Sequence, residues 1–152
     1  MELDFKVVEA ELEDAQKAAA LFDAYRVHYG QKSNRAGSSK FLRERLERNE
    51  AKLILALNEA NQPIGFALMY RRFASLRLSQ GWIVNDVFVE PSSRRSGVAT
   101  ALIKEAIYVA SASGAKTLLI STETSNTNSR SLYEGLGFAP LEGIALYALT
   151  LK

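Results

Sequence analysis

The run from Gly81 to Thr122 constrains this chain more than any other. It reads as a strand, Trp82–Val89, stopped by Pro91; a small basic turn; a helix, Gly97–Ser113, closed by Gly114; and a second strand, Thr117–Thr122. Trp82-Ile83-Val84 and Val87-Phe88-Val89 make the first strand nearly continuous apolar sequence, as in a strand covered on both faces. The helix keeps Ala99, Leu102, Ile103, Ala106, Ile107 and Ala110 on one stripe. A strand–helix–strand unit of this kind closes as a parallel, right-handed pair, and ligands favour the carboxyl ends of its strands.

Other elements are read around this unit. Phe5–Val8 predicts an opening strand, and Glu11–Tyr29 a helix with Ala15, Ala18, Ala19, Phe22 and Tyr25 at helical spacing and Gly30 at its end. Gln31–Ser39 reads as a polar loop, with Ser38 or Ser39 capping a second helix that runs through Arg48. Lys52–Leu57 and Ile64–Tyr70 form a hairpin about the turn Asn58–Pro63, and Arg71–Gln80 reads as a basic loop. A short helix from Asn126 to Gly135 and a last strand from Ile144 to Leu151 complete the order. The expected class is mixed α/β: a twisted, mostly antiparallel sheet with a central parallel strand pair and flanking helices.

A chain of 152 residues suits one domain, here 1–152, and 47% apolar with 24% charged residues is an ordinary globular composition. The net charge of +2 is only mildly basic, so no nucleic-acid partner is expected. The absence of cysteine removes disulfides, thiolate zinc sites and a cysteine nucleophile. His28, the single histidine, cannot form a His-rich metal site, and no G-x-S-x-G elbow supports a serine triad. No metal is expected. Met1–Phe5 is acidic and unlike an export leader, and the longest aliphatic run, Leu53–Leu57, is far short of a membrane span. The expected location is cytoplasmic, with no membrane partner.

The turn Arg94-Arg95-Ser96-Gly97-Val98-Ala99 is basic and small and opens a helix. Helix N-termini expose unpaired N–H groups and a partial positive charge, which suits phosphate. It is neither a Walker loop nor G-x-G-x-x-G. By spacing alone it reads equally as a phosphate cradle or as an ordinary turn with solvated arginines.

Arg94-x-x-Gly97-x-Ala99 resembles the Q/R-x-x-G-x-G/A signature of the GNAT acetyltransferases, with Val87-Phe88-Val89-Glu90-Pro91 as its approach. A second element, Asn126-x-x-Ser129-x-x-Leu132-Tyr133-x-x-x-Gly137-Phe138, resembles that family's N-x-x-A-x-x-L-Y-x-x-x-G-F. Arg95 departs from the family's frequent glycine and Ser129 from its frequent alanine. The resemblance implies the GNAT fold, acetyl-CoA as donor and a homodimer. It implies a pyrophosphate held by the backbone of Arg95, Ser96, Gly97, Val98, Ala99 and Thr100 beside Arg94. The pantetheine arm would then lie along Phe88 and Val89, splayed from the strand Thr117–Thr122, with Asn126, Ser129 and Tyr133 also near the cofactor. Tyr133 takes the position of the general acid, which protonates the departing thiolate. A backbone N–H near Val89 would steady the oxyanion.

Asn85 and Asp86 interrupt the apolar strand, and a buried carboxylate needs a partner. One reading is structural, an Asx residue satisfying a bulge. The other is chemical: an alkyl ammonium of pKa about 10.4 cannot attack a thioester until it loses a proton, and a carboxylate can attract and deprotonate it. Val84-Asn85-Asp86-Val87-Phe88-Val89 is similar to the L-E-D-F-F-V strand of the diamine and thialysine acetyltransferases. That likeness implies Asp86 as base or substrate anchor, with Asn85, Tyr25 and Tyr29 shaping an acceptor site. The expected activity is acetyl transfer to a primary amine of a small polyamine- or amino-acid-like molecule. A protein or peptide N-acetyltransferase and a non-catalytic acetyl-CoA-binding regulator are the alternatives. Arg71, Arg72 and Arg77 would flank the acceptor entrance, as solvated cations or as an anion contact.

Overall fold

A computed structural model describes residues 3–152; the opening Met1-Glu2 of the leader reading lies outside the described residues. The chain forms two compact units, Met1–Ser121 and Thr122–Lys152.

The first unit holds strands β1 (Phe5–Glu9), β2 (Ala51–Asn58), β3 (Pro63–Ala74), β4 (Ser79–Val89) and β5 (Thr117–Ile120), and helices α1 (Asp14–His28), α2 (Arg35–Glu47) and α3 (Val98–Ala112). The strands lie in the order β1-β2-β3-β4-β5, antiparallel except for β4 and β5. Period-two alternation splits the apolar side chains between the two faces. Leu53, Leu55, Leu57, Phe66, Leu68 and Phe88 pack with Ala15, Ala18 and Phe22 of α1 and Leu42 of α2. Ile54, Ala56, Ala67, Met69, Trp82 and Val84 pack with Val98, Leu102 and Ala106 of α3. The sheet is therefore the middle layer of three, and its sides differ in which helix they meet.

Two expectations are corrected here. The segment Gln31–Ser39 is not a loop throughout, because α2 begins at Arg35, where the Asn34 side chain accepts from the Gly37 N–H at 2.8 Å. Ser38 is no cap: it is buried and donates to Asp23. Ser33 and the Asn34 N–H also donate to that carboxylate and lower its pKa, so Asp23 ties the end of α1 to the start of α2. The basic segment Arg71–Gln80 is no loop either. It extends both strands of the hairpin around a one-turn helix, Ser75–Arg77.

In the second unit, helix α4 (Thr127–Gly135) starts at Asn126, whose side chain accepts from the Ser129 N–H at 3.1 Å. The expected strand Ile144–Leu151 does not form: residues 138–152 are in neither helix nor sheet. A strand exists through its ladder partners, and within their own unit these residues have none. In the first unit β4–β5 is the parallel pair of an otherwise antiparallel five-stranded sheet, as expected.

Candidate active site

The register of β3 against β4 slips between Leu68 and Met69: Leu68 faces Asp86, whereas Met69 faces Val84. Asn85 is the extra residue, the mark of a β-bulge. Without a bulge, Val84 and Asp86 would share a face. With it, Val84 stays in the α3 cluster while Asp86 turns toward α1, where the Tyr25 hydroxyl donates to Oδ1 at 2.6 Å. The Asn85 side-chain amide donates to Oδ2 at 3.0 Å. The expected buried polar pair is corrected: Asn85 is exposed and Asp86 half-buried, because the bulge carries both out of the ladder's interior. The structural and chemical readings of this pair coexist. Asn85 is the bulge residue, and Asp86 is a carboxylate held by two donors whose oxygens keep lone pairs for a third.

Around Asp86 the wall is aromatic. Tyr25 packs edge-on to Tyr29, Phe66 and Phe88 at 5.2–5.6 Å, and His28 lies 5.9 Å from Phe88. Burial, then the hydrogen bond to Asp86, raises the pKa of Tyr25. Burial, then the Asp86 charge, pushes Tyr70 up to about 12, against the pull of Arg45. Tyr70 was missed in the sequence. The period-two series Phe66, Leu68, Tyr70 on β3 places it on the Asp86 face and was the available signal. Arg71, Arg72 and Arg77 do not flank this site. Arg71 covers Trp82, Arg72 donates to Thr117 and Arg77 sits in the hairpin turn, all toward the opposite end of β4.

Pairing of β4 with β5 stops short of the bulge. Their parallel pairing ends at Val84 and Ile120, while β4 continues to Val89. The Glu90 N–H bonds back to Ile64 of β3, so alternation turns the N–H and C=O of Val89 toward the vacated edge. Phe88 and Val89 bury their side chains, leaving backbone as what they offer there.

After a one-turn helix at Pro91–Ser93, Arg95 takes φ 61° and Gly97 φ 81°, and Gly97 caps α3 without a side-chain bond. The first helical bond runs from the Ala101 N–H to the Gly97 carbonyl at 3.0 Å. Among the described residues nothing accepts from the N–H groups of Arg95, Ser96, Gly97, Val98, Ala99 or Thr100. A Cβ built on Gly97 would meet open space, so the turn is a shallow, exposed array of donors. Arg94 departs from the expected basic rim. Its Nε donates to the Val89 carbonyl at 2.9 Å and its guanidinium lies 5.5 Å over Phe88, so it braces the strand end.

In the second unit, Tyr133 is half-buried on α4 and its ring lies 6.0 Å from Phe138. Asn126 and Ser129 serve the helix start, as side-chain acceptor and backbone donor. Among the described residues no group of three or more His, Cys, Asp or Glu could hold a metal, and no helix is long and apolar enough to cross a membrane.

A helix-start array of N–H donors and, on β4 beyond its pairing with β5, a carboxylate held by two donors are what the described residues bring to this end of the sheet. The family model for the acetyltransferase (GNAT) family matches residues 18–138. An uncharacterized N-acetyltransferase, YhfO, of Bacillus subtilis (strain 168) is 38% identical over 141 residues, 93% of this chain and 94% of the relative. A probable acetyltransferase of Haemophilus influenzae is 34% identical over 101 residues, 66% of this chain and 69% of that one. The crystal structure of a probable acetyltransferase superposes with TM-score 0.88 at 35% identity, covering 97% of this chain and 98% of its own. The chain belongs to the acetyltransferase (GNAT) family. It is an acetyltransferase with the GNAT fold.

Proposed function

We propose that the protein is a single acetyltransferase domain, 1–152, that moves an acetyl group from acetyl-CoA to a primary amine of a small polyamine- or amino-acid-like acceptor in the cytoplasm, by direct attack. The observation that carries this reading is Asp86, held by Tyr25 and Asn85 at a bulge where β4 leaves β5. Acetyl-CoA, when bound, supplies the activated acyl group. The donor array of Arg95–Thr100 fits its diphosphate, and the β4 edge at Phe88 and Val89 fits an extended amide arm. Asp86 draws in the ammonium and takes its proton, with the aromatic wall of Tyr25, Tyr29 and Tyr70 favouring a cation. One carboxylate within one ring of aromatics suits a monocation better than a long polycation. This favours the amino-acid-like end of the diamine and thialysine resemblance. The Val89 N–H donates to the carbonyl under attack, and Tyr133, by its place in the family motif, protonates the departing thiolate.

The test is thiol release from acetyl-CoA across polyamines, lysine analogues, aminoglycosides and short peptides, with Asp86→Asn and Tyr133→Phe alongside. Each variant is expected to lose about 100-fold in kcat/KM while CoA affinity stays within about twofold. Wild-type turnover in either variant removes that residue from the chemistry. Reaction confined to peptide N-termini replaces the small-molecule acceptor with a protein one.

A further inference from the structure

Helix α2 carries its cations in two different ways. Arg45 is engaged: Glu44 lies 3.5 Å from its Nη2 and Glu50 3.3 Å from its Nε. Arg35, Lys40 and Arg43 form another set, on the side that meets α1. Among the described residues no carboxylate or hydrogen bond engages the guanidinium of Arg35 or Arg43. Lys40 has only a loose pair with Glu44, at 3.8 Å, and stays 78% exposed. The buried acid of α1, Asp23, does not serve them, being held by Arg26, Ser33, Ser38 and the Asn34 N–H. Charges on a merely solvated helix face usually alternate in sign, and these three do not. Arg35 also opens the helix, whose first turn holds no acid. The helix dipole favours the reverse, acids at the start and bases at the end. A bound anion removes that conflict.

The three cations line one groove. It lies between α1 and α2, has a volume of about 560 Å³, and contains no acidic side chain. Ala19 and Ala20 of α1 and Ala36 of α2 leave the room, while Gln16 and Ser39 add an amide and a hydroxyl. Arg35 and Arg43 stand ~12 Å apart along the helix axis, with Lys40 between them. Small-molecule sites run from ~300 to ~1,000 Å³, and three cations over this span match a chain of phosphoryl groups. Arginine suits that chemistry, since its planar fork grips two phosphoryl oxygens at once. We propose that this groove binds a small polyphosphate-bearing anion, as a nucleoside triphosphate or as the free polyphosphate chain. The helices α1 and α2 pack on the sheet face opposite α3, so the site is separate from the donor array of Arg95–Thr100. The proposal is independent of acyl transfer.

Calorimetric titration of the full chain with tripolyphosphate and, separately, with ATP tests it, in phosphate- and magnesium-free buffer at low salt. One site should appear with Kd below about 1 mM and should weaken as salt is raised. Tighter binding of ATP assigns a nucleotide; equal binding assigns the phosphoryl chain alone. Arg35→Ser with Arg43→Ser should weaken binding at least about tenfold. Ala20→Glu, which sets a carboxylate on the facing α1 wall, should do the same without removing a cation. Lys116→Ser, from a second cation cluster with Lys52 and Arg71, should leave binding unchanged. Absence of binding by either phosphate overturns the site. So does binding unaltered in both groove variants, the anion then being held elsewhere, or an equal loss in Lys116→Ser, a general response to net charge. A polyglutamate peptide bound in place of both phosphates would overturn it too, making the groove a protein-docking surface.

Discussion

Arg95 holds φ at 61° in the turn that opens α3, a conformation costing a side-chain-bearing residue about 1–2 kcal/mol. The backbone needs that left-handed step to aim successive N–H groups at one region, and glycine, the family's frequent residue here, would make it without strain. Arg95→Gly should therefore stabilise the fold. Glycine's greater entropy loss on folding offsets part of the relief, leaving about 0.5–1 kcal/mol and a rise of about 2 °C in Tm. Differential scanning calorimetry reads the first quantity, and CoA titration of the same variant reads whether the guanidinium itself contributes to binding. A lower Tm would mean that the arginine side chain makes a compensating contact. The glycine signature was legible in the sequence at Gly97; the strain at Arg95 was not, because only φ reveals it.

Asn85 does its work on the scale of the strand. Pairing of β4 with β5 ends at Val84 and Ile120, and the bulge sits at the same point on β4's other edge. A bulge bends and twists its strand, which is enough to swing Asp86–Val89 away from β5. Deleting Asn85 should restore a regular ladder with Asp86 and Phe88 still facing α1, so stability should change by no more than about 1 kcal/mol. Pairing between β4 and β5 should lengthen and close the cleft, and CoA affinity should fall at least tenfold by calorimetric titration. Unchanged affinity in a folded deletion variant would separate the bulge from the cleft. The polar pair was visible as an interruption in an apolar run, but a period-two count through a bulge assigns the wrong faces beyond it. The α2 start was hidden similarly: Gly37 looks like a breaker, whereas it stands in a first helical turn whose N–H Asn34 caps. Most of the remaining elements were legible because their apolar spacing agrees with the layer that buries them. The final strand was legible in pattern, and its own unit holds no ladder partner for it.

Within the first unit, the sheet is clamped between two apolar layers, and Tyr25 and Tyr70 are the phenols of the α1–α2 side that feel the Asp86 charge. Both phenols titrate above the ordinary value of 10, Tyr70 at about 12, through burial first, with Asp86 adding to it. A phenol raised in the folded state keeps its proton where the unfolded chain has lost it. The folded state then binds more protons, and stability falls as pH rises. The contribution of both groups is fully present below pH 10 and is lost from there upward, that of Tyr70 through about 12 and that of Tyr25 higher still. The urea midpoint should therefore be flat near pH 8–9 and decline above 10. Tyr25→Phe should be less stable at pH 8 by about 1 kcal/mol, having lost a hydrogen bond to a half-exposed carboxylate, yet should decline less steeply. Tyr70→Phe should also show a shallower decline, without the loss at pH 8 that belongs to the Tyr25 bond. Since the rest of the chain is the same in all three proteins, the differences between the curves isolate these two phenols. Parallel alkaline limbs would mean that neither ring is held by the packing that presents Asp86.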